Sequence, residues 1–274
     1  MPEHRYMIFK DNLMQTYKLI VSYDGTDYAG WQSQGDGSTV AEALVKAFVD
    51  VFKSQPALRG VSRTDAGVHA MGQVVLLRTT VSIAPDRLAF AWNNRLPDSI
   101  VVREAKLVEH DFKLHAKVVE KTYYYHFFTQ RPQPFVARYG WYCQKPIDLE
   151  KLQKALNVFV GTHDFRSFCT GYDWSDTVRT INSITLEYLS QYDMYRIVVK
   201  GPRFLRYMIR RLVGASMQVA SNAHINVAIL NEVMQQKNPE QTLLNAPAKG
   251  LMLYKIRYQE EESNDEEQTL FQLF

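Results

Sequence analysis

Residues Ser62 to Ala70 read SRTDAGVHA, and their types could do chemistry. Arg63 and Asp65 flank Thr64, so a cation and a carboxylate lie within reach of one another. Ala66-Gly67 keeps the next stretch of backbone small enough for another segment or a ligand to approach. His69 adds a third polar group. A carboxylate on a tight loop between strands, with an arginine beside it, suits an ionised nucleophile or base. The same residues also suit a turn in which Asp65 hydrogen-bonds its own backbone and Arg63 is merely solvated. Two further stretches gather aromatic and basic side chains: KTYYY at 121–125 and FLRYMIRRLVG at 204–214.

The flanking patterns supply the elements that must hold these residues. Tyr17 to Tyr23 alternates as a strand and is broken by DGTDYAG. Thr39 and Glu42 form a capping box ahead of Val40, Leu44, Ala47, Phe48, Val51 and Phe52, which repeat at helical spacing. Leu58 to Val61 leads into the Asp65 loop and Gln73 to Thr79 leaves it. Pro85 to Arg95 reads as a helix and Ile100 to Leu107 as a strand. Strand, helix, strand, strand, helix, strand is the split βαβ pattern of a ferredoxin-like half. A second cycle follows: a strand over Val118 to Thr129, a helix over Asp148 to Val160 and strands over Thr180 to Leu189 and Met194 to Val199. Helices over Arg203 to Val219 and Ile225 to Gln236 and a strand over Leu251 to Tyr258 complete it. The expected fold is α+β, with two ferredoxin-like halves sharing a mainly antiparallel central sheet. Helices lie on one side of it and a basic cleft between the halves. The halves are expected at 1–110 and 111–258.

Only Cys143 and Cys169 occur, without CxxC spacing, which argues for two buried thiols in a reducing cytoplasm and against a disulfide framework or a structural metal. No apolar run is long enough to span a membrane, and MPEHRYMIFKDNLMQ has no signal-peptide pattern. The net charge of +3 conceals a contrast. Residues 259–274 hold six acids and no Lys or Arg. The remaining 23 acidic residues face 32 Lys and Arg, so 1–258 carry +9. A body of that sign suits a polyanion such as RNA, and the tail reads as a disordered acidic segment.

SRTDAGVHA resembles the GRTDAGVHA signature of the TruA family of tRNA pseudouridine synthases. YDGTDYAGWQ (Tyr23 to Gln32), GTHDFRSF (Gly161 to Phe168), VRTI (Val178 to Ile181), FLRYMIRRLVG and APAKGLMLYKIRY (Ala246 to Tyr258) follow in the family's order. The resemblance implies that Asp65 is the catalytic nucleophile, that Arg210 pairs with it, and that Tyr123 is the active-site tyrosine. It further implies that Arg63 helps extrude the target base, with His69, Phe204 and Tyr123 as further substrate contacts. Attack on the sugar and proton abstraction from it both remain open to Asp65. The implied reaction turns uridine into pseudouridine in the anticodon arm of tRNA, at positions 38, 39 and 40. It needs no metal or other cofactor. The implied enzyme is a cytoplasmic homodimer that uses tRNA rather than DNA and binds no membrane. Four departures stand out: Ser62 for glycine, Phe112-Lys113-Leu114-His115 for FHAR, Pro202-Arg203-Phe204 for Asn-x-Phe, and Arg211 for asparagine. They keep a rival reading in play, a paralogue that binds or folds tRNA without catalysis. A hydrolase pairing Asp65 with His69 is weaker, because no second acid or metal-ligand spacing accompanies it.

Overall fold

The computed structural model describes residues 14–171 and 176–259. The acidic tail from Glu260 onward, and the expectation of disorder made for it, lie outside the described residues. The first cycle comprises β1 (Gln15–Tyr23), α1 (Val40–Phe52), β2 (Ala57–Gly60), β3 (His69–Thr79), α2 (Pro85–Asn93) and β4 (Ile100–Leu107). After the connection at 108–117 come β5 (Val118–Phe128), β6 (Trp141–Tyr142), α3 (Leu149–Asn157), β7 (Gly161–Asp164) and β8 (Val178–Ile181). Then follow β9 (Ser183–Leu189), β10 (Met194–Gly201), α4 (Met208–Ala220), α5 (Ala228–Gln236) and β11 (Leu251–Tyr258).

One large mixed sheet runs β4-β1-β3-β11-β5-β10-β9, with β2 on β3 and β6 on β5. Most neighbours are antiparallel. The join between the cycles is the parallel β11–β3 pair, which matches Met252 with His69 and Leu253 with Ala70. Strand order is β4-β1-β3-β2 in the first cycle and β11-β5-β10-β9 in the second, the same path in each. The β7–β8 pair forms a separate small sheet.

Period-two geometry decides which side of the sheet the helices cover. Tyr17, Leu19 and Tyr23 of β1 face Leu77, Val75 and Ala70 of β3 across the ladder. In the second cycle Tyr123, Tyr125 and Phe127 stand opposite Val199, Ile197 and Tyr195. These strand residues share one buried cluster with Leu44 and Phe48 of α1, Leu88 and Trp92 of α2, Leu152 and Leu156 of α3, Leu212 of α4 and Leu230 of α5. All five helices thus join the sheet in one core. Two helices have side-chain N-caps: Thr39 and Glu42 close the expected capping box of α1, and Asp148, expected inside α3, caps it by accepting from the Lys151 amide.

The sequence pattern extends α4 five residues too far toward its N-terminus. Arg203, Arg206 and Arg210 mimic helical spacing, yet α4 begins only at Met208, and Tyr207 at its N-cap is left-handed (φ 61°). Tertiary packing overrides propensity here. Phe204 turns in to meet Tyr123 edge-on at 5.3 Å. The fifth helix starts at Ala228 rather than Ile225, and α3 ends at Asn157, short of Gly161, which instead opens β7 with φ 109°. Both cysteines are buried and unpaired. No described helix is long and apolar enough to cross a membrane.

Candidate active site

The loop between β2 and β3 carries Asp65, and four sets of contacts fix its path. Gln73 of β3, fully buried, accepts from the Ser62 amide (3.2 Å) and donates to the Ser62 carbonyl (2.6 Å), prolonging the ladder by a side chain. The Tyr23 hydroxyl shares a hydrogen bond of 2.7 Å with Thr64 Oγ1. The Trp31 amide donates to the Thr64 carbonyl and the Gly67 amide to the Tyr28 carbonyl. Lys121 of β5 donates to Ser62 Oγ at 2.9 Å and to the Val61 carbonyl at 3.3 Å. YDGTDYAGWQ is thus the cradle of the Asp65 loop. Gly30 sits at φ 102°, and a Cβ there would lie 2.7 Å from the Thr64 carbonyl oxygen. Trp31 is a packing aromatic, buried and stacked on Tyr23.

Asp65 faces a pocket shared with Arg63, Tyr123, Phe204, Arg206 and Tyr207. Its side chain keeps only 15 % exposure and that of Arg210 keeps 13 %, and Nη1 of Arg210 stands 3.4 Å from Oδ2 of Asp65. Burial raises the Asp65 carboxyl above its ordinary range, and the charges of Arg210 and Arg206 pull against that rise. The structure therefore brings a cation to the carboxylate, as burial of an ionised acid requires. Arg210 is itself steadied: its Nε donates to the Ala246 carbonyl at 2.8 Å, and its guanidinium lies 4.9 Å from the centre of the Tyr207 ring. The pocket wall from Leu205 to Ile209 includes the start of α4, the positive end of that helix's dipole.

Tyr123 enters the pocket from β5. Burial, opposed by a hydrogen bond with the Ser62 side chain, pushes its phenol up to about 12, so it stays neutral at ordinary pH. The register separates the three tyrosines. Tyr125 shares the Tyr123 face, while Tyr124 points to the other side, stacked on Tyr254 at 4.2 Å and capped by Arg196. Arg63 is exposed at the rim and Phe204 is half-buried.

His69 is placed elsewhere. Its ring is 2 % exposed, with Nδ1 3.1 Å from both Asp24 Oδ1 and the Gly25 amide and Nε2 3.2 Å from the Lys249 carbonyl. It lines a separate pocket of about 180 Å³ with Asp24, Met71, Tyr139 and Met252. Arg211, which stands where the family often has asparagine, donates to the Ser167 and Pro239 carbonyls and braces the chain behind α4.

Sequence reasoning passed over Lys121. Burial and the neighbouring Arg203 lower its ammonium to about 8. His115 is likewise held below its usual range, by burial first and then by Lys121, Arg203, Arg59 and Arg63. Five cationic or protonatable groups thus crowd beside the pocket. The available signal was period two, since Lys121 lies two residues before Tyr123 on the same strand face. Among the described residues, no three His, Cys, Asp or Glu side chains gather as metal ligands.

A loop-borne carboxylate paired with an arginine and set beside a buried tyrosine is a combination suited to acid–base or nucleophilic chemistry. The tRNA pseudouridine synthase family profile matches residues 19–115 and 155–259. A Thermoanaerobacter sp. protein named tRNA pseudouridine synthase A is 35 % identical over 247 residues, covering 89 % of this chain and all of its own length. The protein of that name from Thermotoga neapolitana is also 35 % identical, with the same coverage. A Protochlamydia amoebophila protein, tRNA pseudouridine synthase A 1, is 34 % identical over 90 % of this chain and 98 % of its own. This chain belongs to the TruA family of tRNA pseudouridine synthases and is an isomerase of that class.

Proposed function

We propose that Asp65 drives the isomerisation of uridine to pseudouridine in the anticodon arm of tRNA, at positions 38, 39 and 40. The observation that carries this reading is the Asp65 carboxylate in a largely dry pocket, with Arg210 at 3.4 Å and the Tyr123 phenol beside it. In the reaction the bond from C1′ to N1 breaks, the uracil turns, and C1′ rejoins at C5. The C5 proton is lost and N1 ends protonated, so no redox change or cofactor is needed. Asp65 acts as nucleophile at C1′ or, in the alternative, as the base at the sugar. Tyr123 is suited to carry the C5 proton and to stack on the displaced uracil.

A base in a helical stem must leave the stack before Asp65 can reach its sugar, at a cost of about a few kcal/mol. Arg63 at the rim, flat and cationic, would fill the gap, and Phe204 would flank the extruded base. The crowd of Arg59, Arg63, His115, Lys121 and Arg203 is suited to RNA phosphates and forms one wall of a basic cleft. The cleft lies between two ferredoxin-like halves, 1–110 and 111–258, which the repeated strand order supports. The working unit is a cytoplasmic homodimer holding one tRNA across both subunits. His69 is left out of the substrate contacts because its ring is buried and both its nitrogens are engaged.

The test is to incubate an unmodified tRNA transcript with the protein and map pseudouridine at each position. Conversion confined to 38–40 supports the reading, whereas conversion in another arm removes the anticodon assignment.

A further inference from the structure

Between α5 and β11 the chain crosses behind the site as Ala246-Pro247-Ala248-Lys249-Gly250. Three anchors hold this segment. On α4, the Ala246 amide donates to the Arg210 carbonyl at 2.9 Å and Arg210 Nε returns a bond of 2.8 Å to the Ala246 carbonyl. Gly214 makes that approach possible, since a Cβ there would fall 2.1 Å from the Leu244 carbonyl oxygen. On the sheet, the hydroxyl of fully buried Tyr125 donates to the Pro247 carbonyl at 2.9 Å. At the Asp65 loop, the Lys249 carbonyl meets His69 Nε2 at 3.2 Å, and a Cβ on Gly67 would lie 3.3 Å from the Ala248 methyl. Gly250 fits against the Tyr125 ring only as glycine, because a Cβ would stand 2.6 Å from its Cζ.

The Ala246 carbonyl holds Nε of Arg210, and Nε fixes the plane in which Nη1 reaches Asp65. A guanidinium is a rigid fork, so a shift of that carbonyl swings Nη1 with it. We infer that residues 246–250 form a clamp that aims Arg210 at Asp65, with Tyr125 as its principal positioning residue and His69 as the second anchor. The inference rests on the proposed roles of Asp65 and Arg210. Tyr125 touches neither of them directly; it acts through Pro247.

The experiment compares single-turnover rates against pH for the parent, Tyr125→Phe and Tyr17→Phe. Tyr17 is a matched control, because its hydroxyl makes an equally short bond, 2.8 Å to the Ile83 carbonyl, away from the site. The ionisable groups facing Asp65 are its partner Arg210 and, across the pocket, Arg63, Arg206, Tyr123 and Tyr207, and Asp65 is the one carboxyl among them. Loss of the clamp weakens the cation that opposes burial, so the acidic limb moves to higher pH. Tyr125→Phe is expected to slow the reaction about tenfold at pH 7 with tRNA affinity within about twofold, the scale of a small misplacement. Its acidic limb should move up by about half a pH unit or more, while Tyr17→Phe leaves the limb in place. An unmoved limb in Tyr125→Phe, or equal losses in both variants that follow melting temperature, would overturn the clamp. Should Tyr125→Phe fail to fold, His69→Leu and His69→Gln give the same reading. Leucine removes the bond to Lys249 and should shift the limb, whereas glutamine restores a donor and should bring it back. A parent enzyme that keeps its activity as Asp65→Asn would sink the underlying reading instead, which separates the two failures.

Discussion

Asp65 is held where its ionisation is unfavourable, and that has consequences for both rate and stability. Its folded-state pKa is raised, so the folded protein binds the Asp65 proton more tightly than the unfolded chain does. The destabilisation from ionising it is absent at pH values below the unfolded pKa of about 3.9 and complete once pH passes the folded value. Asp65→Asn should therefore melt at a higher temperature than the parent at pH 7 to 8, with the gain shrinking toward pH 4. Differential scanning calorimetry across that range checks it; a lowered melting temperature at pH 8 would show the carboxylate to be a net stabiliser. Arg210→Met should damage catalysis, since it removes the larger of the two charges that oppose burial and leaves only Arg206. Its activity should survive only at higher pH, with tRNA affinity little changed, and an unshifted pH–rate profile would reduce Arg210 to a structural arginine. The residue scale was the most legible part of the sequence. The motifs pointed to Asp65, Tyr123 and Arg210; Asp65 and Tyr123 line one pocket and Arg210 stands 3.4 Å from Asp65, the proximity on which their proposed roles rest. The position of His69 was not legible, because its partners, Asp24 and Lys249, lie 45 residues before and 180 residues after it, and no local pattern announces them.

At the scale of elements, the site depends on close backbone approaches. Gly30 is the sharpest case: a side chain would be strained at φ 102° and would press on the Thr64 carbonyl. Gly30→Ala should cost about 1–3 kcal/mol and slow the reaction more than it weakens tRNA binding, because the displaced element carries Asp65. Urea unfolding and single-turnover rates together check this; a variant as stable and as fast as the parent would show the cradle to be dispensable. The ends of β4 and β11 and the capping box of α1 were readable, since periodicity and capping are local. By contrast, β3 begins at His69 rather than Gln73, and the strand expected over Thr180 to Leu189 divides into β8 and β9 in different sheets. The start of α4 was not readable either. Arg203 to Tyr207 has helical spacing, but packing of Phe204 on Tyr123 and the left-handed turn at Tyr207 decide its path. For the same reason the roles of Arg211 and of Ala246 to Gly250 appear only once distant segments are brought together.

For the whole molecule, charge is the organising quantity. Lys121 sits at about 8 because it is buried beside Arg203, so near pH 8 it is only partly protonated. RNA phosphates would restore its proton. Binding of tRNA at pH 8 should therefore take up protons, seen as a calorimetric enthalpy that changes with the ionisation heat of the buffer. Lys121→Arg should reduce that dependence, because arginine stays charged; a buffer-independent enthalpy in the parent would place Lys121 away from the RNA. The acidic tail carries the opposite sign to that surface. Truncation after Tyr258 should tighten tRNA binding modestly at low salt, and the difference should fade as the Debye length drops below about 10 Å. Equal affinities at low salt, or a lowered melting temperature, would show the tail to be a docked clasp.

The most direct test of the central claim is a single-turnover assay of Asp65→Asn with tRNA tritiated at C5 of uridine. Release of the C5 hydrogen reports formation of the new bond, and tRNA binding is measured in parallel. With Asp65 as nucleophile or base, the variant binds tRNA as the parent does and releases no tritium above background. Release at as much as a tenth of the parent rate would contradict the account and remove Asp65 from the chemistry.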